Sequence, residues 1–224
     1  MTLFKKLLPI IILIAVIVGI ILSYPLKVLT SESPLAWIHE LIVLFSFFTI
    51  QTNTLIALSA YALLSNKNTP WQSFWRCMPV LTSVTVYIVF MGLVHHFLLA
   101  KSFTYDGPYT YSNLLHHYLT PLLAPVLWMF YRKQGELKLV YVFSCLAFPI
   151  GYLVYWFFRG SIIGSYPYFF IDVNAFGYAG VLLNALGFLV LMLFFAFVFF
   201  GLDRLMSRWF GVNNLLKEGS ARLE

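Results

Sequence analysis

The sequence predicts an all-α polytopic membrane protein, a bundle of six transmembrane helices with both termini on the cytoplasmic side. Three observations carry that expectation. Of 224 residues, 61% are hydrophobic and 10% charged, whereas an ordinary soluble domain is roughly 25% charged. Apolar runs long enough to cross a hydrocarbon core of about 30 Å, which takes about 20 helical residues, recur six times. The basic residues fall on alternate connections, the pattern of the positive-inside rule. Helix is the spanning structure, because the period-two alternation of a membrane β-barrel is absent. The same composition, with 19% aromatic residues, excludes disordered and collagen-like chains. Cys77 and Cys145 lie far apart and build neither a disulfide framework nor a four-ligand zinc site.

The first run, Leu7–Val28, follows Lys5 and Lys6 and lacks a small-x-small cleavage site, so it reads as a helix rather than a signal peptide. The second, Leu35–Leu64, is overlong; Pro34 suits its start, and it either stands proud of the bilayer or tilts strongly. Lys67 and Arg76 precede the third, Pro79–Ala100. The fourth, Leu114–Tyr131, contains Pro121 and Pro125 as kink points and is followed by Arg132, Lys133 and Lys138. The fifth and sixth are Leu139–Phe158 and Gly177–Gly201, with Arg204, Arg208, Lys217 and Arg222 beyond. Only Lys27, Lys101 and Arg159 fall on the other side. The net charge of +6 therefore reports topology and attraction to acidic lipid, and no nucleic-acid partner is expected. Residues 1–218 read as a single domain without internal repeats or a phosphate loop. Arg204, Trp209, Phe210, Leu215 and Leu216 pattern as a short interfacial helix, and residues 219–224 look like a vector-derived tail.

Polar side chains at membrane depth cost free energy, about 2.5–3.5 kcal/mol for a charged one on insertion scales, so they are the first functional candidates. All five histidines, His39, His95, His96, His116 and His117, fall in the non-cytoplasmic half. In the second run His39, Ser46, Thr49 and Asn53 recur at helical spacing as one polar stripe. In the fourth, Asn113, His117, Thr120, Pro121 and Ala124 share a face. A threonine hydroxyl is a poor nucleophile until a base within hydrogen-bond reach takes its proton, and imidazole does this near neutral pH. Packing offers a competing account: membrane-helix Ser and Thr commonly bond the carbonyl one turn back, and His39 and Glu40 beside Trp37 suit the headgroup region.

Three ordered blocks resemble a known family, the androgen-induced-gene and androgen-dependent TFPI-regulating-protein family with its bacterial six-span relatives. They are Phe47-Phe48-Thr49-Ile50-Gln51-Thr52-Asn53, similar to a Phe-x-Thr motif; Asn113-Leu114-Leu115-His116-His117-Tyr118-Leu119-Thr120-Pro121, similar to Asn, three residues, His and a later Pro; and Tyr166-Pro167-Tyr168-Phe169-Phe170-Ile171-Asp172, similar to a Tyr-Pro-Phe-Leu-Glu/Asp segment. The resemblance implies an intramembrane threonine hydrolase that cleaves fatty acyl esters, such as fatty acid esters of hydroxy fatty acids, with a Thr nucleophile, a His base and neither metal nor cofactor. By motif the nucleophile falls on Thr49. The Asn-to-His spacing selects His117 as base and the His-to-Pro spacing selects His116. Thr52 offers a second hydroxyl, and His96 a further supporting imidazole. Asn53 or Gln51 is expected to stabilise an oxyanion, and Asn113 or Asp172 to orient the imidazole. The expected partners are a lipid ester substrate and membrane lipids. The expected place is the bacterial cytoplasmic membrane if the source is prokaryotic. Two other classes compete: a histidine-ligated metal or haem protein, and a non-catalytic transporter or scaffold.

Overall fold

The computed structural model describes residues 3–23, 34–104, 106–133 and 135–221. The end of the predicted first run, residues 24–28 with Lys27 among them, and residues 222–224 of the tail lie outside them. The described residues form helices and connections without a strand: α1 (Leu3–Ser23), α2 (Pro34–Leu44), α3 (Phe48–Leu64), α4 (Pro70–Arg76), α5 (Met78–Val94), α6 (Pro108–Leu114), α7 (Thr120–Tyr131), α8 (Leu139–Ser144), α9 (Ala147–Ile163) and α10 (Val173–Ala221). Two π-helical turns join these elements: His95–Leu99 continues α5, and Leu115–Leu119 links α6 to α7.

Among the described residues four stretches are long and apolar enough to cross a membrane: Leu3–Ser23, Met78–Leu99, Leu139–Ile163 and Val173–Trp209. A fifth candidate is the α2–α3 pair. The predicted fourth run lies in the continuous α6–α7 segment, where two histidines, a threonine and two prolines dilute the apolar character. The second run departs most from expectation. Instead of one tilted helix it breaks after Leu44, and α2 and α3 meet at 78°. Backbone groups freed by a break inside an apolar bundle need new partners, and side chains supply them. Gln51 Nε2 donates to Phe45 O at 2.8 Å, Trp156 Nε1 donates to Ser46 O at 3.0 Å, and the Ser46 hydroxyl meets Tyr155 Oη at 2.6 Å. The polar stripe read along one helix is therefore split: His39 stays on α2, exposed, 3.8 Å from Glu40. Nor do Arg204 and Trp209 start a separate interfacial helix, because α10 runs unbroken through residues 204–216 to Ala221. Near its start, Gly177 leaves helical geometry at φ +64°, a conformation that favours glycine.

The core is centred on α5, which packs against α3, α7, α8 and α10. On the other flank α1 lies against α3, α6 and α7, burying Leu8, Ile12, Ala15, Val16 and Gly19 along one stripe. α10 buries Val181, Ala185, Met192, Ala196, Phe199 and Asp203 at three-, four- and seven-residue intervals, one helical face. The opposite faces of α1, α9 and α10 expose Ile, Leu, Val and Phe, surface of the kind a helix presents to hydrocarbon. Close backbone approach is needed where α5 crosses α7, since a side chain at Gly92 would come within 2.8 Å of Pro121.

Candidate active site

The break before α3 decides the chemistry of Thr49. In an uninterrupted helix its amide would be spent on the preceding turn. Here Phe47 precedes the first helical residue with extended backbone and no side-chain cap. The first-turn N–H groups of an α-helix have no intrahelical acceptor and lie at the positive end of its dipole. Thr49 thus stands in a donor-rich first turn.

The facing residue comes from the π turn between α6 and α7. Pro121 has no N–H to give to the preceding turn, and the His116 carbonyl is taken up by Asn53 Nδ2 at 3.3 Å and by the Thr120 hydroxyl at 3.1 Å. Successive side chains on a helix point about 100° apart, so the tandem histidines diverge. His116 turns toward α1, with Nε2 3.3 Å from Val16 O and Nδ1 3.4 Å from Ser112 Oγ. Its ring occupies the space a side chain at Gly19 would fill. His117 turns toward α3 and α5: Nε2 lies 3.1 Å from Thr49 Oγ1, and Nδ1 lies 2.8 Å from Asn113 Oδ1. An amide oxygen accepts only, so this pairing puts the proton on Nδ1 and leaves Nε2 to accept from the threonine hydroxyl. The His117 ring also stacks on that of His95, with centroids 3.6 Å apart and planes at 16°.

The predicted site residues therefore separate. Thr49, His117 and Asn113 form one hydrogen-bonded relay. Thr52 is buried and donates to Thr49 O at 3.2 Å, so its hydroxyl serves the backbone rather than duplicating Thr49. The amide nitrogens expected to face an oxyanion are engaged elsewhere. Asn53 Nδ2 donates to Thr49 O at 2.9 Å as well as to His116 O, its Oδ1 accepts from Thr120 at 2.6 Å, and Gln51 closes the helix break. Asp172 Oδ1 accepts from Asn174 N at 2.9 Å at the start of α10. His96 is exposed, 3.4 Å from the Tyr118 hydroxyl. Among the described residues no group of three or more His, Cys, Asp and Glu side chains is placed to hold a metal ion. The closest pair, His95 and His117, meets ring face to ring face, whereas a shared ion would need their nitrogens edge-on.

Sequence reasoning missed Tyr168. Its hydroxyl stands against the Thr49 side chain and the backbone N–H groups of Phe48 and Thr49, with the Tyr152 hydroxyl beside it. Phe48 N also donates to Tyr152 Oη at 3.2 Å. The Tyr-Pro-Tyr block drew attention to the segment, but only the fold brings it over the start of α3. Two cavities meet here, and Thr49, His95, Leu99 and Tyr168 line both. No protein-family profile, curated protein or solved structure matches the chain.

Proposed function

We propose that this chain is an intramembrane threonine hydrolase of fatty acyl esters, of the androgen-induced-gene type that the three sequence blocks resemble. The observation that carries the reading is the Thr49–His117–Asn113 relay, with contacts of 3.1 and 2.8 Å, set where two cavities join. Thr49 Oγ1 attacks the ester carbonyl carbon while His117 Nε2 takes its proton, and Asn113 holds the imidazole in the tautomer that accepts. The negative charge gathering on the carbonyl oxygen meets the Tyr168 hydroxyl, which stands beside Thr49. Collapse of the tetrahedral intermediate breaks the ester C–O bond, and His117 passes its proton to the departing alcohol. Water then attacks the acyl-threonine with His117 again as base, releasing the fatty acid and restoring Thr49.

The topology belongs to the same proposal. Counting α2–α3 as one crossing and α6–α7 as another gives six, and Lys5, Lys6, Lys67, Arg76, Arg132 and Lys133 then share the cytoplasmic side with both termini. On this proposed topology the relay lies in the outer half of the membrane, a bacterial cytoplasmic membrane if the source is prokaryotic. The test is a lipophilic fluorophosphonate probe applied to purified protein and read by intact mass and peptide mapping. An adduct on Thr49, lost in Thr49→Ala and in His117→Ala, is the expected result. A folded protein that gives no adduct at Thr49 sinks the assignment.

A further inference from the structure

The two cavities at Thr49 differ in the polar groups they present. One, about 90 Å³ and open on one side, lies among α3, α5, α9 and α10. Its walls are apolar, and its polar side chains (Thr49, His95, Tyr152 and Tyr168) are those gathered around the relay. Aromatic rings brace the wall edge to face: Phe90 and Phe188 at 5.7 Å, Phe170 and Phe188 at 4.7 Å, Phe48 and Phe90 at 6.4 Å. Along α10, Ala185, Phe188, Leu189 and Met192 fall on one face, a lining about 10 Å long at 1.5 Å per residue. The other cavity, about 270 Å³, carries Ser23, Tyr109, Ser112, Asn113, His116 and His117 in a wall that also includes Leu44, Phe47, Ile50 and Phe103. Those hydroxyls, amide and imidazoles are what a hydroxyl-bearing group or water can bond.

We infer that the apolar cavity is the binding site for one straight acyl chain of medium length, with the carboxyl carbon at Thr49, and that the polar cavity receives the hydroxyl-bearing alcohol part of the ester. The chemical class is a lipid ester with one acyl chain in the apolar cavity and an alcohol part that bears polar groups for the hydroxyls, amide and imidazoles of the other. Cleavage of that ester rests on the function proposed above; occupation of the cavity by the chain does not.

The experiment has two arms that separate those claims. Protein in lipid nanodiscs is photolysed with decanoic acid bearing a terminal diazirine, and labelled peptides are mapped. Labelling of Phe188–Met192 or Phe90–Met91 that excess decanoic acid suppresses supports the site. Labelling confined to the outer faces of α9 and α10, or insensitive to competition, overturns it. This arm reads binding alone and stands whether or not esters are cleaved. In the second arm, p-nitrophenyl acetate and decanoate are compared by kcat/KM. Each methylene moved from water to an apolar site is worth about fourfold; decanoate carries eight more than acetate, so burial of even half of them should favour decanoate in the wild type by at least about a hundredfold. Ala185→Phe, which puts a ring into the cavity, should cut that ratio at least about tenfold. Leu189→Trp, on the same face, gives a second reading if Ala185→Phe does not fold. Decanoate labelling within the cavity without turnover of either ester would overturn the hydrolase and leave the chain site standing. An unchanged ratio in both folded variants overturns the chain site.

Discussion

Two polar clusters, one buried and one half-buried, occupy opposite ends of the bundle, and they are built on different plans. At one end Arg132, just past α7, and Asp203 of α10 form an ion pair at 3.0 Å, with side chains 3% and 0% exposed. Gly135 N donates to the same carboxylate oxygen at 3.4 Å, and Ser207 joins the cluster through Asp203 O at 2.6 Å and Arg132 Nη1 at 3.5 Å. This clasp ties the connection after α7 to the long last helix, and neither charged residue lines the cavities that meet at Thr49. At the other end Thr49, His117 and Asn113 are neutral, joined in series, and border two cavities. The contrast qualifies the rule that ionisable groups deep in a membrane protein mark function. Charge and burial alone would choose the clasp. The relay differs because an unspent hydroxyl and its base face empty space that a substrate can occupy.

Removing the reacting group should have the largest effect of all. Thr49→Ala is expected to lower ester turnover by about 10⁴-fold or more, as loss of a nucleophile from a relay acting as a unit does, while thermal stability changes little. Progress curves on a medium-chain ester, with a melting scan of the same preparation, check both halves. Retained turnover would place the chemistry elsewhere in the chain.

The clasp should answer the opposite way. Asp203→Ala strands a buried guanidinium, at a cost of about 3–5 kcal/mol, read as a large drop in melting temperature and folded yield. Fluorophosphonate labelling per folded molecule should hold. The double variant Arg132→Met with Asp203→Leu should recover much of the loss, because a well-packed apolar pair often replaces a buried ion pair at little net cost. If labelling fell in step with charge removal while the melting temperature stayed put, the division of labour between the two ends would collapse.

How much of this could be read from the chain follows from the same contrast. Composition and apolar run length are local properties, and they gave helices wherever the structure has long ones. The Thr49–His117 pairing was legible as far as the contact goes, because a hydroxyl and an imidazole stand at helical spacing in two runs that a bundle can bring together. The break at residues 45–47 was not legible, because Ser46, Tyr155, Trp156 and Gln51 stabilise it only after distant segments meet. Its consequence was missed as well: Gln51 and Asn53 look like free amide donors in the sequence, and the fold spends both on backbone carbonyls. Tyr168 was invisible as a partner of Thr49, being 119 positions away and reaching it only through tertiary packing. Asp203 reads as one more charge in a tail until Arg132 is found beside it.

Within the relay, Asn113 tests whether the imidazole must be held. Asn113→Ala leaves His117 Nδ1 without its 2.8 Å partner, so both tautomers become accessible and the ring loses an anchor. Orienting partners of this kind are worth about 10–100-fold. The fall should appear in kcat rather than KM, and Asn113→Asp, which restores an acceptor, should recover part of it. A change in KM alone would make Asn113 a binding residue of the polar cavity.

The smallest effect should come from His116, and it sharpens the comparison most because His116 and His117 are adjacent. Both are imidazoles of one π turn, His116 buried and His117 half-buried, and motif spacing left either eligible as base. The structure separates them by what they face: His116 closes on Val16 O, Ser112 and Gly19, a packed seam with α1, while His117 faces Thr49. His116→Ala removes two long hydrogen bonds and leaves a void beside Gly19, so it should cost about 1–3 kcal/mol of stability and shift kcat only slightly. His117→Ala should lower kcat by about 10²–10⁴-fold, the usual worth of a general base. Measured side by side at a temperature where both variants stay folded, that asymmetry identifies the base. A catalytic loss confined to His116→Ala would reverse the assignment and require the π turn to rotate by one residue in the working enzyme.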